Sequence, residues 1–204
     1  INSDLEKAIT LLNGKEQQHP SHVDYYVANG IKARVNLVQH NFDAAATAAA
    51  EALKKPGLSL ASVTALGGNN SVNVDDVMWG NEIITEHSTQ YASFFSHMDA
   101  DAPKMYASQA QQCISTGLYK LIPDTDARKA AWWRGALAEE GTGSNVSYCQ
   151  IKFKMADYST YTGDYVLMRA EEMVLIKAEA ECHLQQYDKA RATISELGDV
   201  RDSG

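Results

Sequence analysis

The residues best equipped to grip a ligand crowd into one stretch of the chain. All three tryptophans, Trp79, Trp132 and Trp133, lie there, and beside them are Asn81, Glu82, Tyr91, Phe94, Phe95 and Arg134. Flat rings offer apolar area to the C–H face of a ring-shaped, polyhydroxylated molecule. Planar amide, carboxylate and guanidinium groups can then meet its hydroxyls. Such binding works when apolar area is buried and each hydroxyl keeps a partner. These nine residues form the candidate ligand-binding set. Large aromatics are also mostly buried in folded proteins, so Trp79 and one of Trp132 and Trp133 read as core as well.

Catalysis has weaker support. Cleaving a glycosidic bond takes two carboxylates facing each other across about 5–10 Å. Asp99-x-Asp101 and Asp124-x-Asp126 supply carboxylates, but loops and helix starts carry such pairs routinely, and Asp126 suits a helix N-cap. The sequence has no G-x-S-x-G and no H-E-x-x-H, and GTGSN (141–145) lacks the pattern of a phosphate-binding loop. His19 and His22 in HPSH have no third metal ligand near them. No catalytic residue, metal or cofactor is assigned.

Composition narrows the field further. Eighteen basic residues against 26 acidic ones give a net charge of −8, with no Lys/Arg cluster. That balance excludes the electrostatic footprint of nucleic-acid binding and of attachment to anionic lipid. No run approaches the roughly 18–20 apolar residues of a membrane helix. The three cysteines, Cys113, Cys149 and Cys182, contain no CxxC pair and read as free, buried thiols.

The elements that must position these residues are mostly helical. Leu5, Ala8, Ile9 and Leu12 recur at helical spacing after Ser3 and Asp4, which are good capping types, and this helix stops at Asn13-Gly14. A second helix is predicted over 23–39 with Ala28, Ile31, Val35 and Val38 on one face. A third places Phe42, Ala45, Ala49 and Leu53 inward and ends at Lys54-Lys55. Residues 57–73 read as loop, 77–85 as extended, and 86–100 as loop with a helical turn. Helices are expected at 104–116 and 124–134, a loop at 141–147, and a strand in YCQIKFKM (148–155). YVLMRAEEMVLIKAEAECHLQQYDKARATISEL (165–197) reads as a closing helical pair, with Arg169 and Glu172 spaced to pair and Lys177–Glu181 on a solvated face.

That closing pair has a partner earlier in the chain. At an offset of 145 residues, from Phe42 to Tyr187, Ile31 aligns with Ile176, Ala33 with Ala178, Asp43 with Asp188 and Ala45 with Ala190. Each copy is a helix, a short polar turn, an aromatic, and a small residue that lets a second helix approach. This is the logic of a tetratricopeptide hairpin, although two unrelated hairpins would also satisfy the pattern.

These residues carry a family likeness. YVLMRAEEMVLIKAEAECHLQQYDKA resembles the signature helix pair of the SusD/RagB proteins of Bacteroidetes, where Arg-x-x-Glu (Arg169, Glu172) precedes an apolar run and Ala-Glu-Ala (Ala178, Glu179, Ala180). DVMWGNEIITEHSTQYASFFSHMD (76–99) and TDARKAAWW (125–133) resemble further segments of that family, as do DLEKAITLL and the 28–53 pair. The resemblance implies a non-enzymatic surface lipoprotein that captures oligosaccharides or other nutrients above a SusC-like TonB-dependent transporter of the outer membrane. Tetratricopeptide-type helices would pack on the transporter, and loops would form the ligand surface. The family's signal peptide and lipid-attachment Cys are not matched, and its members continue where this chain stops at VRDSG, so a central fragment is expected.

The expected architecture is mainly α with minor β, a single domain over 1–204. Within it, 1–56 is a helical-repeat hairpin, 57–162 an irregular insert bearing the ligand surface, and 163–204 the signature hairpin. The expected function is non-catalytic binding of a glycan or other nutrient. The alternative is a helical-repeat adaptor for a protein partner. An exposed aromatic cluster on the insert favours the first; one in a groove between helices favours the second.

Overall fold

The structure, a computed structural model, describes residues 1–204 except Thr142, so one position of the expected loop 141–147 lies outside the described residues. The helices are α1 (Asn2–Leu12), α2 (Tyr25–Val38), α3 (Phe42–Ala52), α4 (Val63–Leu66), α5 (Phe94–Met98), α6 (Thr116–Leu121), α7 (Ala127–Trp132), α8 (Ala170–His183) and α9 (Tyr187–Gly198). Strands β1 (Val77–Asn81) and β2 (Tyr165–Arg169) pair as a small sheet. The protein is mainly α with minor β, as its periodicity predicts. Among the described residues no helix is long and apolar enough to cross a membrane. The chain divides into two compact units. A helical unit comprises Ile1–Ala61, Asn73–Asn81 and Leu167–Val200, and a loop-rich unit comprises Ser62–Val72, Glu82–Val166 and Arg201–Gly204.

In the helical unit the repeat holds down to single backbone atoms. Helices α2 and α8 are each 14 residues long, and α3 and α9 start at Phe42 and Tyr187, as the offset requires. Both turns are Schellman motifs, in which one left-handed residue lets the last carbonyls of a helix find donors. That residue is His40 (φ 61°) in one copy and Gln185 (φ 59°) in the other. The Asn41 N–H donates to the Asn36 carbonyl at 2.9 Å, and the Gln186 N–H donates to the Glu181 carbonyl at 2.9 Å.

The two hairpins stack as neighbours although Ala52 and Ala170 are 118 positions apart. Helix α3 packs on α2 and on α8, α9 packs on α8, and α1 on α2. Alanines make this approach possible: Ala33, Ala45, Ala49 and Ala52 are all fully excluded from solvent. Met78, Met168, Met173 and Ile176 fill the remaining core. A Cβ on Gly30 would lie 2.4 Å from the Met168 Sδ, which explains a glycine in the middle of α2. Between the hairpins the Phe42 ring stacks on His183, with centroids 4.0 Å apart and planes within 6°.

Several local expectations change. Helix α1 begins at Asn2, so Ser3 and Asp4 sit inside its first turn and do not cap it. Val38 is 80% exposed; the inward face of α2 runs through Val27, Gly30 and Ala33 instead. YVLMR is strand, because it pairs with β1, and the Ala170 N–H donates to the Asp76 carbonyl at 2.8 Å. The expected Arg169–Glu172 pair gives way to two others. Arg169 reaches Glu171, with Asp76 at 3.8 Å, while Glu172 accepts two hydrogen bonds from Arg34 at 2.5 and 2.6 Å. Glu181 is buried, not solvated; Lys177 (3.1 Å) and the Thr193 hydroxyl (2.7 Å) tie it across α8 and α9.

The loop-rich unit is held by non-local hydrogen bonds in place of long elements. Asp164 accepts from the backbone N–H groups of Val72 (2.9 Å) and Ile83 (3.0 Å). The Asn70 side chain donates to the Lys154 carbonyl at 2.9 Å. Residues 104–115 are turns and bends followed by irregular chain with one bridge at Cys113, not helix: Lys104 has φ 62°, and the Ala107 N–H donates to the distant Ser96 carbonyl at 3.0 Å. YCQIKFKM forms only isolated bridges at Cys149 and Gln150. Helix α4 interrupts the expected loop 57–73, capped by the Ser62 hydroxyl accepting from Ala65 at 3.1 Å. The core here is Phe95, Ala102, Met105 and Met155, flanked by Phe153, Tyr161 and Tyr165.

Three substitutions test the helical array. Ala33→Leu places a larger side chain in a solvent-free crossing and is expected to cost about 1–3 kcal/mol in denaturant unfolding. Ala190→Leu, whose side chain borders an open groove, is expected to change stability by no more than about 0.5 kcal/mol. Gln185→Gly removes the left-handed penalty at the turn and is expected to stabilise by about 1 kcal/mol in the same measurement.

Candidate functional site

The sequence-predicted residues divide between the units. Trp79 and Asn81 lie on β1 in the helical unit; Asn81 is exposed, whereas Trp79 is half-buried. The Trp79 indole N–H donates to the Ser21 carbonyl at 3.0 Å and its ring packs on the helical core, which are the contacts of a structural residue. Glu82, Tyr91, Phe94, Phe95, Trp132, Trp133 and Arg134 belong to the loop-rich unit. Phe95 leaves the ligand-binding set: it is 1% exposed and central to the core, so its ring has no open face.

Helix α5 explains why Phe94 and Phe95 part. The Ser93 hydroxyl caps it, accepting from the Ser96 N–H at 3.1 Å, and its register sends Phe95 and Ser96 inward. Phe94 and His97, three apart, share the outer side. Phe94 is 44% exposed and meets Phe95 and Phe153 edge to face, each at 5.2 Å between centroids. Its N–H donates to the Tyr165 hydroxyl at 3.2 Å. The exposed His97 ring stacks on Tyr106, 4.8 Å between centroids and 16° between planes. Tyr91 meets Tyr106 at 6.1 Å, and these two tyrosines are 52% and 51% exposed. The result is a surface patch of Tyr91, Phe94, His97 and Tyr106.

A second group adjoins it through Phe153. The Lys152 ammonium sits 5.0 Å from the Phe153 ring and 4.3 Å from the Trp132 ring, and the Arg128 guanidinium lies 5.9 Å from Trp132 on the same helix, α7. Trp133 and Arg134 are half-buried, with Trp133 bridged to Gln150. Arg134 lies 4.0 Å from Asp101, which also pairs with Lys154 at 2.8 Å.

The four carboxylates that a hydrolase would draw on all have structural partners. Asp99 is buried and accepts from the N–H groups of Met155 (2.7 Å) and Asp101 (2.9 Å) and from the Tyr158 hydroxyl (3.0 Å). Burial pushes its carboxyl above the usual range despite these donors. Burial also acts to raise Asp101, but Lys154 and other donors outweigh it and hold that carboxyl low. Asp124 is paired with Lys129 at 2.6 Å. Asp126 caps α7, accepting from the Arg128 N–H at 2.9 Å, and the Arg128 guanidinium holds it below the usual range. The pair His19 and His22 lies edge to face at 5.9 Å, with the His19 Nδ1 in hydrogen-bond contact with the Ser21 hydroxyl.

His97, Tyr106, Lys152 and Phe153 escaped sequence reasoning. Tyr106 fell within the mistaken helix 104–116, and Lys152 and Phe153 within the mistaken strand. No sequence signal marked them: Met105, Tyr106 and Ala107 are all apolar types, and only the fold separates the buried Met105 and Ala107 from the exposed Tyr106.

With this geometry in place, known structures supply the comparison. A SusD-like carbohydrate binding protein from Bacteroides vulgatus superposes with a TM-score of 0.80 and 25% identity, over all of this chain and 42% of its own. A SusD superfamily protein from Bacteroides thetaiotaomicron gives a TM-score of 0.74 at 17% identity, over 98% of this chain and 46% of its own. Surface glycan-binding protein A from Bacteroides thetaiotaomicron, in complex with laminarihexaose, gives 0.74 at 12% identity, over 98% and 53%. The chain is SusD-like. These matches support its assignment to the SusD-like family, and it spans less than half the length of the first two. No family model and no curated protein matches the sequence.

Within this SusD-like chain, the Asp126–Arg128 pair has a definite pH signature. A carboxyl whose folded-state pKa is depressed stabilises the fold above its unfolded value, near pH 4, and loses that contribution as pH falls through the lower folded value. Asp126→Asn is therefore expected to melt lower than the parent at pH 7, with the gap closing as pH falls below about 4.

Proposed function

We propose that this chain is the ligand-capturing part of a SusD-like receptor that binds oligosaccharide without cleaving it. The observation that carries the reading is the exposed patch of Tyr91, Phe94, His97 and Tyr106 on a SusD-like fold. Ring faces flanked by hydroxyl and imidazole groups suit a neutral, polyhydroxylated ligand better than a charged one. Neighbours with this fold include carbohydrate-binding proteins, one of them holding laminarihexaose. The structural partners of Asp99, Asp101, Asp124 and Asp126 favour binding over hydrolysis. In the full receptor the helical unit docks on a SusC-like TonB-dependent transporter at the outer membrane, held at the cell surface by a lipid anchor. Captured nutrient passes to that transporter.

One observation favours an adaptor instead. A groove of about 620 Å³ between α8 and α9 exposes Leu175, Tyr187 and Ile194. It contains one aromatic, whereas the loop-rich patch has four rings in mutual contact or adjacent on α5, so the receptor reading stands ahead.

Calorimetric titration with an oligosaccharide panel that includes laminarihexaose tests the choice. Saturable binding to at least one member is expected, weakened about tenfold or more in Tyr91→Ala and Tyr106→Ala, a loss near 1.4 kcal/mol, with melting temperature held. Heats that stay flat across the panel, or binding indifferent to both substitutions, would remove the patch as the glycan site.

A further inference from the structure

Two of the three cysteines are brought face to face in the loop-rich unit. Cys113 and Cys149 form an isolated antiparallel bridge. The Ile114 N–H donates to the Tyr148 carbonyl at 3.0 Å, and the Gln150 N–H donates to the Gln112 carbonyl at 2.8 Å. Hydrogen bonds that flank the pair in this way make it the narrow, non-hydrogen-bonded kind, whose Cα atoms sit about 4.5 Å apart with side chains on the same face. That separation falls within the roughly 4.4–6.8 Å that disulfides span. Cys182 belongs to α8 of the helical unit and takes no part in the bridge.

We propose that Cys113 and Cys149 are a disulfide-forming pair, closed by thiol–disulfide exchange with a small-molecule disulfide or the disulfide of an oxidoreductase. The structure holds both as thiols, one exposed and one buried, and this asymmetry sets the order of events. The accessible Cys113 thiolate attacks one sulfur of the oxidant R–S–S–R, forming a mixed disulfide and releasing RS⁻. The Cys149 sulfur then attacks the Cys113 sulfur and expels the second RS⁻. The protein loses two electrons and two protons, and the oxidant leaves as two thiols. Burial and the adjacent Cys113 sulfur push the Cys149 thiol up to about 11, so it stays protonated and leaves the first attack to Cys113; its own attack relies on the proximity the bridge enforces.

The bond would act on the aromatic region through the backbone. The Arg134 N–H donates to the Cys149 carbonyl at 2.8 Å, and the Ile151 N–H donates to the Trp132 carbonyl at 2.9 Å. Joining Cys149 to Cys113 thus clamps the segment that carries Trp132, Trp133 and Arg134 from its other edge.

The test uses the reduced chain and its Cys182→Ser and Cys113→Ser variants, incubated with oxidised glutathione, quenched by alkylation and mapped by mass spectrometry. In the parent, alkylatable thiols should fall from three to one, and the Cys113 and Cys149 peptides should emerge joined. Oxidation should raise the melting temperature on the order of 5 °C in the parent and in Cys182→Ser, and leave Cys113→Ser unmoved. Glutathione retained on Cys113 while Cys149 stays alkylatable in denaturant, or three thiols surviving oxidation, would overturn the proposal.

Discussion

The helical unit depends on one steric constraint: two hairpins far apart in sequence must come within alanine distance of each other. Helix α3 lies between α2 and α8, and the positions where it meets them are Ala45, Ala48, Ala49 and Ala52. Small residues gain little from burial one at a time. They permit close packing over a long face, and close-packed interiors tolerate neither a void nor an added methylene. The Schellman turns at His40 and Gln185 serve the same end, because they fix the angle at which each second helix leaves the first. A repeat interrupted by a long insert therefore still assembles as a contiguous stack.

The insert solves a different problem. With few long elements, its buried backbone groups need partners from elsewhere, since an unpaired buried N–H or C=O costs free energy comparable to a lost hydrogen bond. Asp99, Asp164, Asn69 and Asn70 provide them, each reaching a segment distant in the chain. Polar side chains here do the work that sheet ladders do in regular folds. This also accounts for carboxylates that look catalytic in the sequence: burial with several donors makes Asp99 a fastener.

The two units suit two tasks, a packed helical frame and a loop-built surface. Function in loop-rich regions follows from what they expose, and here they expose rings. Helix α5 is five residues long, yet its register alone separates Phe95 in the core from Phe94 at the surface. The stacked Tyr106 and His97 come from segments that neither composition nor spacing would join.

What the sequence determined by itself is the part governed by short-range rules. The 145-residue offset, both hairpins, the inward alanines and Asp126 as a cap were all legible, because helical periodicity and capping depend on neighbours within a turn or two. The SusD-like character was legible for the same reason, its most specific segment being the α8–α9 pair. Long-range contacts decided the rest. YVLMR became a strand because β1 lay beside it, Glu172 found Arg34 and not Arg169, and Trp79 was taken into the helical core. Residues 104–115 and 148–155 lost their expected helix and strand because distant carbonyls and side chains competed successfully for their donors. A sequence window reports local preference, and local preference yields wherever tertiary packing offers a polar group a better partner.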